Sequence, residues 1–422
     1  MSLLPVMAAK NLARYKKRTM ITASAIAYGL LMFIIMRSIL LGIDSESERN
    51  LRMYETASGR ITAPGYWEEK DLLPLENSFD PQVLDSLLTS TTASASPRIS
   101  FGGNLVFYQD TDESDGIESF PEDGSIPVKF VAIDPVQDSD VFGLDQTLVE
   151  GQWLQDGEYG LVMGHWLAED IGAVVGSTVV VDTHTQDGYA QAFDLTVVGI
   201  VNCPNPEISR NGLFLPLSVA DEYLEMDGDV TEVNLNFGLS DEGDASFAAF
   251  GAAAADLGLE ALDWPTLGAD FVAISQAKAG SSAMIIILIL VIAAVGISNT
   301  MLMAVYERVR ELGMLRALGM RDREIRGLFL WESAGIGFLG SIIGVIFGMV
   351  VNWPLTRFGI DYSFLLRESN FGYRIQGQMF GVWDFPSILA AFVMGVVMTV
   401  FVAAFSTHRI LRLDIPSSLR FQ

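Results

Sequence analysis

The stretch KKRTMITASAIAYGLLMFIIMRSILLGI, residues 16–43, decides the architecture of this 422-residue chain. Its apolar part, residues 19–43, is long enough for a helix that crosses about 30 Å of hydrocarbon, which requires roughly 20 residues. The run is longer than the apolar core of a signal peptide, and the acidic segment that follows offers no small-residue cleavage site. The sequence therefore predicts a retained membrane anchor.

Three further apolar runs predict three more spanning helices, at residues 283–305, 327–351 and 386–407. Basic residues cluster before the first run, between the second and third, and after the fourth. By the positive-inside rule these clusters face the cytoplasm. The fold class expected is thus an α-helical membrane protein with four transmembrane helices and both termini inside. The segments that the rule assigns to the cytoplasm are residues 1–18, 306–326 and 408–422, and those that it places outside are residues 44–282 and 352–385.

The long segment between the first two spans is an acidic, solvated domain. The chain carries a net charge of -26 although 50% of it is hydrophobic, and most acidic residues fall between Asp44 and Asp270. Such acidity argues against nucleic acid as a partner. Cys203 is the single cysteine, so a core rather than disulfides must stabilise the domain.

Short strand and helix patterns interleave in this segment, which indicates an α+β domain. The polar residues that flank it, 44–56 and 269–282, continue the first and second spans as helices and would form a stalk. The strands are predicted at residues 60–63, 99–107, 128–133, 178–182, 194–201 and 232–237, and the helices at residues 80–89, 165–171, 218–226 and 241–257.

Neither a catalytic nor a metal site is predicted. A metal could be ligated by His165 with Glu169 and Asp170, or by Asp182 with His184. Histidines beside acids are, however, expected by chance in so acidic a domain. The sequence also contains no H-E-x-x-H motif of zinc proteases and no G-x-S-x-G motif of serine hydrolases. The acidic run at residues 110–116 resembles a calcium loop, yet Pro121 stands where an EF-hand requires its twelfth-position acid. A solvated loop is the better interpretation.

Glycines recur along one face of the third span. Gly340, Gly344 and Gly348, with Gly335 and Gly337 before them, are spaced by two to four residues. Small residues allow helix backbones to approach closely in a bilayer, so this face is predicted to pack against another helix. The letters G-x-G-x-x-G at 335–340 match the dinucleotide motif, but no strand precedes them, so that match is rejected.

The cytoplasmic segment 306–326 combines a leucine face with a charged face, which is typical of a short amphipathic helix at a membrane surface. Such a helix could present charge to a partner. The alternative is an ordinary cytoplasmic loop, because enrichment in arginine is expected in any loop on that side of the membrane.

Residues 307–319, ERVRELGMLRALG, resemble the E-R-x-x-E-[IL]-G-x-L-[RK]-A-[LI]-G signature of the MacB/FtsX/LolC–LolE family of ABC transporter permeases. The opening stretch 9–19, the outer-domain stretch EGQW at 150–153 and the tail 410–420 are also similar to this family. The tail departs from the pattern by carrying Ser417 and Ser418 where Ala and Glu are usual.

The resemblance implies that residues 44–282 form a MacB-type periplasmic core domain, with an inserted second lobe at about 145–225. It also implies that 306–326 is a coupling helix that contacts an ATPase. The residues proposed for that contact are Glu307, Arg308, Arg310, Glu311 and Arg316. The chain lacks the P-loop motif G-x-x-x-x-G-K-[ST], so no enzymatic activity and no cofactor are expected on it, and ATP and Mg are expected on a separate ATPase subunit.

The partners implied are an ABC ATPase dimer, a second permease that is identical or homologous, membrane lipids and, for lipoprotein release, a periplasmic carrier. The function favoured is extraction and release of lipoproteins from the inner (cytoplasmic) membrane by mechanotransmission. Two alternatives are MacB-like export of peptides or small molecules and an FtsX-like scaffold that controls cell-wall hydrolases. The large outer domain counts against the scaffold, and the missing catalytic motifs count against a membrane-anchored enzyme.

Overall fold

The structure, a computed structural model, describes residues 3–14, 16–107, 124–306, 314, 319–361 and 378–410. These residues divide into two compact units. One is helical and comprises the N-terminal residues up to Ile43, Ser275–Asp361 and the residues from Met379 onward. The other contains Asp44–Ile274 and is built on a sheet.

Among the described residues, five helices contribute to the helical unit: α1 (Leu3–Arg14), α2 (Lys16–Leu51), α10 (Ala269–Tyr306), α11 (Asp322–Phe358) and α12 (Phe385–Ile410). Within the described residues, three helical stretches are long and apolar enough to cross a membrane: Thr19–Thr56, Asp322–Phe358 and Phe385–Phe405. The predicted second span, 283–305, lies in α10, and the total of four spans remains a prediction. Between Ile360–Asp361 (β11) and Gln378–Met379 (β12) there is a short two-stranded ladder.

The predicted helical continuations of the first two spans are confirmed. Helix α2 runs on to Leu51 and passes into one π-helical turn, Arg52–Thr56, while residues 269–282 form the start of α10. Apolar side chains along α12 are exposed at intervals of four residues, including Phe401 and Phe405 at 68% and 71%. Such exposure is what a helix surrounded by lipid requires.

The second unit contains a ten-stranded mixed sheet in the order β10-β1-β9-β2-β3-β8-β5-β7-β4, with β6 paired to β2 and β7. The β3–β8 and β5–β7 pairs are parallel and the others antiparallel. The strands are β1 (Gly59–Thr62), β2 (Ser94–Phe107), β3 (Gly124–Ile133), β4 (Leu148–Gly151), β5 (Gly160–Gly164), β6 (Thr178–His184), β7 (Ala190–Val201), β8 (Leu213–Pro216), β9 (Glu232–Asn236) and β10 (Glu260–Asp263).

In the part of this unit that the structure describes, seven helices accompany the sheet: α3 (Asp85–Leu88), α4 (Pro135–Phe142), α5 (His165–Ile171), α6 (Pro206–Asn211), α7 (Leu217–Leu224), α8 (Asp241–Asp256) and α9 (Trp264–Leu267). All six predicted strands are found, as β1, β2, β3, β6, β7 and β9, although β2, β3 and β7 begin earlier than expected. The predicted inserted lobe at 145–225 remains a prediction, and its strands β4 to β8 belong to the same sheet as β1 and β2.

The main hydrophobic core of this unit lies on one face of the sheet. Ile61, Ile99, Phe101 and Leu235 project from neighbouring strands into it, and Phe101 stacks on Phe130 with ring centroids 5.2 Å apart. Helix α8 covers part of this face through Phe247 and Phe250. Burial of large apolar side chains at about 25 cal/mol per Å² is the principal favourable term for such a core.

Candidate functional site

The five residues predicted to contact an ATPase, Glu307, Arg308, Arg310, Glu311 and Arg316, lie outside the described residues. Their role therefore remains a prediction. Beyond these five residues, but still within the predicted coupling segment 306–326, Gly319 has a φ of +94°, a left-handed conformation that glycine adopts without steric cost. Helix α11 then starts at Asp322, where the Arg321 backbone N–H donates to the Glu324 carboxylate at 2.8 Å.

The glycine face of the third span lies against α2. A Cβ atom placed on Gly344 would stand 2.9 Å from both the Cα and the carbonyl oxygen of Ala27. On Gly340 it would stand 2.9 Å from the carbonyl oxygen of Ala23, and on Gly348 2.7 Å from the Ile34 side chain. Contacts under 3 Å leave no room for a side chain, so the two backbones approach as closely as glycine permits.

Gly337 was predicted to share the glycine face, but it lies on another face of α11, against α12. A Cβ on Gly337 would stand 3.0 Å from the Thr399 side chain, and one on Gly395 of α12 would stand 2.4 Å from the Ser341 hydroxyl. Helix α11 therefore contacts α2 and α12 on separate faces. These three helices form the described core of the helical unit, with Ile26, Leu30, Ile336 and Ala391 buried in it.

Arg37, near the end of the first apolar run, pairs with an acid at the start of α12. Its Nε atom lies 3.5 Å from Asp384 Oδ2 and 3.4 Å from the Ser387 hydroxyl. The Arg37 side chain is 36% exposed and that of Asp384 20%. Beside them the Ser38 hydroxyl donates to the Val382 carbonyl oxygen at 2.9 Å. The arginine is thus partly exposed and paired, as expected for a charge close to a membrane boundary.

A charged cluster surrounds the π-helical turn that follows α2. The Arg52 guanidinium makes two contacts with the Asp244 carboxylate on α8, one of them at 3.4 Å, and its Cζ lies 5.1 Å from the ring centroid of Trp264. The Trp264 indole N–H donates to the same carboxylate at 3.3 Å. We call Arg52, Asp244 and Trp264 the stalk-end cluster. It links Arg52, just after α2, to Asp244, 192 residues away in sequence, and to Trp264, just before α10.

Leu51 adds an apolar contact at the same place. It is fully buried, and a Cβ added to Gly268 would stand 2.5 Å from its side chain. The residues that precede α10 are therefore packed directly on the end of α2. A rotation or shift of the α2 end would act on both segments, because the packing and the ion pair are shared.

The sheet face opposite the main core carries buried charges. Arg60 Nη1 lies 2.6 Å from Glu232 Oε2, and Arg60 Nε donates to Asn234 Oδ1 at 3.0 Å. Burial alone would raise the pKa of Glu232, but the cationic groups of Arg60 and Lys129 outweigh it and hold that pKa below its usual value. Burial raises the pKa of the nearby Tyr66 hydroxyl.

A second buried pair occupies the same face. The Arg98 Nε and the Ser96 hydroxyl both donate to Asp138 Oδ1 at 2.7 Å, and the Arg98 guanidinium lies 3.8 Å from the ring centroid of Phe142. Asp138 is fully buried and Arg98 is 5% exposed. Removal of one partner would leave the other charge unpaired inside the protein, so mutation of either residue is expected to cause a large loss of folding stability.

The histidine candidates do not assemble into a metal site. His165 Nε2 and Glu169 Oε2 are 3.9 Å apart on the surface of α5, whereas Asp182 and His184 are exposed on β6. Within the part of the chain that the structure describes, no group of three or more His, Cys, Asp or Glu residues could hold a metal ion. Cys203 is fully buried, and burial raises the pKa of its thiol to about 12.

The sequence analysis did not identify the stalk-end cluster or the two buried ion pairs. The ion-paired residues in them are separated by 40 to 192 residues, and charge is so common in this domain that no local pattern marks them. One local signal was available, since Arg52, Arg60 and Arg98 are rare basic residues in an acidic segment.

Two family models match the chain in succession. The MacB-like periplasmic core domain matches residues 19–251, which is more than half of the chain. The C-terminal segment of FtsX-like permeases matches residues 283–415. The two matches cover the apolar runs as well as most of the sheet unit.

Relatives with assigned names match parts of the chain. The lipoprotein-releasing system transmembrane protein LolC of Xylella fastidiosa is 27% identical over 318 residues, 70% of this chain and 73% of that protein. LolC of Neisseria meningitidis is 26% identical over 206 residues, 48% of this chain and half of that protein. The macrolide export protein MacB of Chlorobaculum tepidum is 37% identical over 95 residues, 21% of this chain and 14% of that protein.

Among solved structures, the periplasmic region of MacB from Actinobacillus actinomycetemcomitans is 15% identical with a TM-score of 0.34, covering 52% of this chain and 94% of that one.

Proposed function

Because the chain belongs to the family of ABC transporter permeases that join a MacB-like periplasmic core domain to an FtsX-like permease segment, we propose that it is a coupling subunit. It would couple ATP hydrolysis by a separate subunit to lipoprotein release. The work is done on the extracytoplasmic side of the inner membrane. The observation that carries the proposal is the LolC match, which extends over 318 residues. The MacB relative matches over 95 residues, so export of peptides or small molecules is the second candidate.

The coupling step is assigned to residues 306–326. Closure of an ATPase dimer in the cytoplasm would move this segment, and the stalk helices would carry the movement to the sheet unit. The stalk-end cluster supports this proposal because it attaches the end of α2 to α8 and α9 through a charged pair and an indole N–H. ATP and Mg would bind to the partner subunit, and a second permease copy, identical or homologous, would complete the membrane part.

Arg310→Ala and Glu311→Ala test the coupling assignment. Truncation of a desolvated interface charge costs about 2–5 kcal/mol, which is at least roughly 25-fold in affinity for the ATPase. The permease is reconstituted with the co-encoded ATPase, and association, ATP hydrolysis and release of a lipoprotein are measured together. Arg357→Ala, an exposed arginine at the opposite end of α11, is the matched control and should equal wild type.

The three readouts separate the candidates. Loss of association or uncoupled hydrolysis in the two variants, with normal folding, supports the coupling role. Equality with wild type in all three assays would remove the segment from the mechanism. If the wild-type complex transports peptides or small molecules and releases no lipoprotein, the second candidate function replaces the first.

The proposed orientation is tested with an introduced thiol. Ser114 belongs to the acidic run 110–116, which the positive-inside rule predicts to be outside, so Ser114→Cys should react with a membrane-impermeant maleimide in cells whose inner membrane is intact. The parent chain is the control and should stay unlabelled because Cys203 is buried. Labelling of Ser114→Cys only after lysis would contradict the orientation.

A further inference from the structure

A groove lies beside β10, the terminal strand of the sheet. Its volume is about 870 Å³. One wall is formed by α8, with Ala248, Gly251 and Ala255 at intervals of three and four residues, and the floor includes Glu260 and Ala261 of β10. The groove belongs entirely to the sheet unit.

The edge of β10 is open along this groove. Among the residues that the structure describes, β10 pairs with β1 on one side and has no strand on the other. Helix α8 is held close beside it, since a Cβ added to Gly251 would stand 2.7 Å from the Ala261 side chain. A free strand edge next to a helix is the arrangement in which an extended peptide adds to a sheet as a further strand.

The chemistry of the lining restricts the occupant. Small side chains dominate the α8 wall, so the backbone of a bound strand could approach closely. Three of the fifteen lining residues are acidic, Asp244, Glu260 and Asp263, and none is Lys, Arg or His. Asp244 is paired with Arg52, which leaves the carboxylates of Glu260 and Asp263. Complementarity of charge with these two groups favours a basic occupant.

We propose that this groove binds an extended, basic segment of a separate extracytoplasmic protein, which pairs with the free edge of β10 and places cationic side chains beside Glu260. Asp244 belongs both to the groove lining and to the stalk-end cluster. An occupant would thus lie next to the carboxylate that holds Arg52 and Trp264. The site is independent of ATP and of the cargo, so its test does not depend on the function proposed above.

The probe is a fluorescein-labelled peptide of about six residues that alternates lysine and valine, titrated against the full chain in detergent micelles. It should bind, and a glutamate–valine peptide of equal length should not. The same lysine–valine peptide with alternate backbone amides N-methylated should bind at least about tenfold more weakly, because its strand pairing is removed while its charge is unchanged.

Two pairs of variants locate the binding. Glu260→Lys should weaken binding of the lysine–valine peptide at least about tenfold, whereas Glu242→Lys, an exposed acid on α8 outside the groove, should change it less than about twofold. Ala255→Tyr, at an exposed position, should fill the groove and block the peptide. Ala252→Tyr is exposed on the same helix but away from the groove and should leave binding intact.

Three results would overturn the proposal. Equal binding of the N-methylated peptide would exclude strand addition, and equal binding by Glu260→Lys would exclude this groove. If Ala255→Cys instead forms a disulfide between two copies of the chain under mild oxidation, and the peptide does not compete, the edge is an interface between copies. In any of these cases the ATPase coupling measurements stand unchanged.

Discussion

The helical unit and the sheet unit are each stabilised internally, and the packing inside one is the opposite of the packing inside the other. Where α11 meets α2, glycines bring backbones so close that a single added carbon would stand 2.9 Å from Ala27 or from the carbonyl oxygen of Ala23. The sheet unit instead buries large side chains such as Phe101 and Phe130, with ionic groups on its opposite face. Lipid is as apolar as the helices, so only close contact rewards their association. In water, removal of apolar surface is itself favourable.

Ion pairs show the same contrast. Arg98–Asp138 in the sheet unit is almost inaccessible, and Arg37–Asp384 in the helical unit is partly exposed. A buried pair is costly to form and more costly to break, whereas an exposed pair contributes little. The comparison predicts a ranking of mutational effects, which the following three experiments test.

The largest effect is expected for Asp138→Ala. It leaves the Arg98 guanidinium buried without its carboxylate, which costs about 3–5 kcal/mol of stability. The free energy of unfolding of the sheet unit is measured in the full chain by pulse proteolysis in urea. Asp140→Ala, an exposed acid on the same helix α4, is the control and should shift stability by less than about 0.5 kcal/mol. Equal effects at both positions would show that the buried pair is dispensable.

A smaller effect is expected for Gly344→Leu. The side chain must displace the backbone of Ala27, and overpacking of this kind costs about 1–3 kcal/mol. Membrane insertion should be normal, while the temperature at which the detergent-solubilised chain aggregates should fall. Val350→Leu, at a 62% exposed position of α11, tests whether any enlargement of this helix is harmful. If both variants behave like wild type, contact between α2 and α11 is not what stabilises the unit.

The smallest effect is expected for Asp384→Ala, which removes the carboxylate beside Arg37. Because the pair is partly exposed, the loss should be about 1 kcal/mol or less, seen as a small decrease in the same aggregation temperature. Asp361→Ala, which removes another acid of the helical unit, is the control and shows how much the aggregation temperature changes when a negative charge is lost elsewhere in this unit. A loss as large as that of Asp138→Ala would mean that exposure does not separate the two ion pairs.

The sequence predicted those features of the fold that depend on long, repeated patterns. Apolar runs of about 20 residues marked the spans, and the six strands with extended β-branched or aromatic patterns are present. The strands of the sheet unit that were missed, β4, β5, β8 and β10, have four or five residues, and so do β1 and β9, which were predicted. At this length a strand pattern is only partly distinguishable from a loop. Helix α4 was missed as well, although Asp134 and Pro135 are a local start signal, since the Asp134 carboxylate accepts from Val136 and Gln137 N–H groups.

The candidate sites divide in the same way. The coupling segment was identified by its resemblance to a family signature and remains a prediction. The stalk-end cluster depends on Arg52 meeting Asp244 across 192 residues, and the groove depends on β10 being the terminal strand of the sheet. The cluster and the groove both depend on contacts between residues that are far apart in sequence. No local sequence pattern predicts such contacts.

The burial of Cys203 has a practical consequence for spectroscopy. The chain contains one cysteine, fully buried with a thiol pKa raised to about 12, so almost none of it is thiolate at neutral pH. Spin labels or fluorophores can therefore be attached to cysteines introduced at the surface while the native thiol is retained. Paired probes of this kind would allow distance changes to be followed through an ATP cycle in an otherwise unaltered chain.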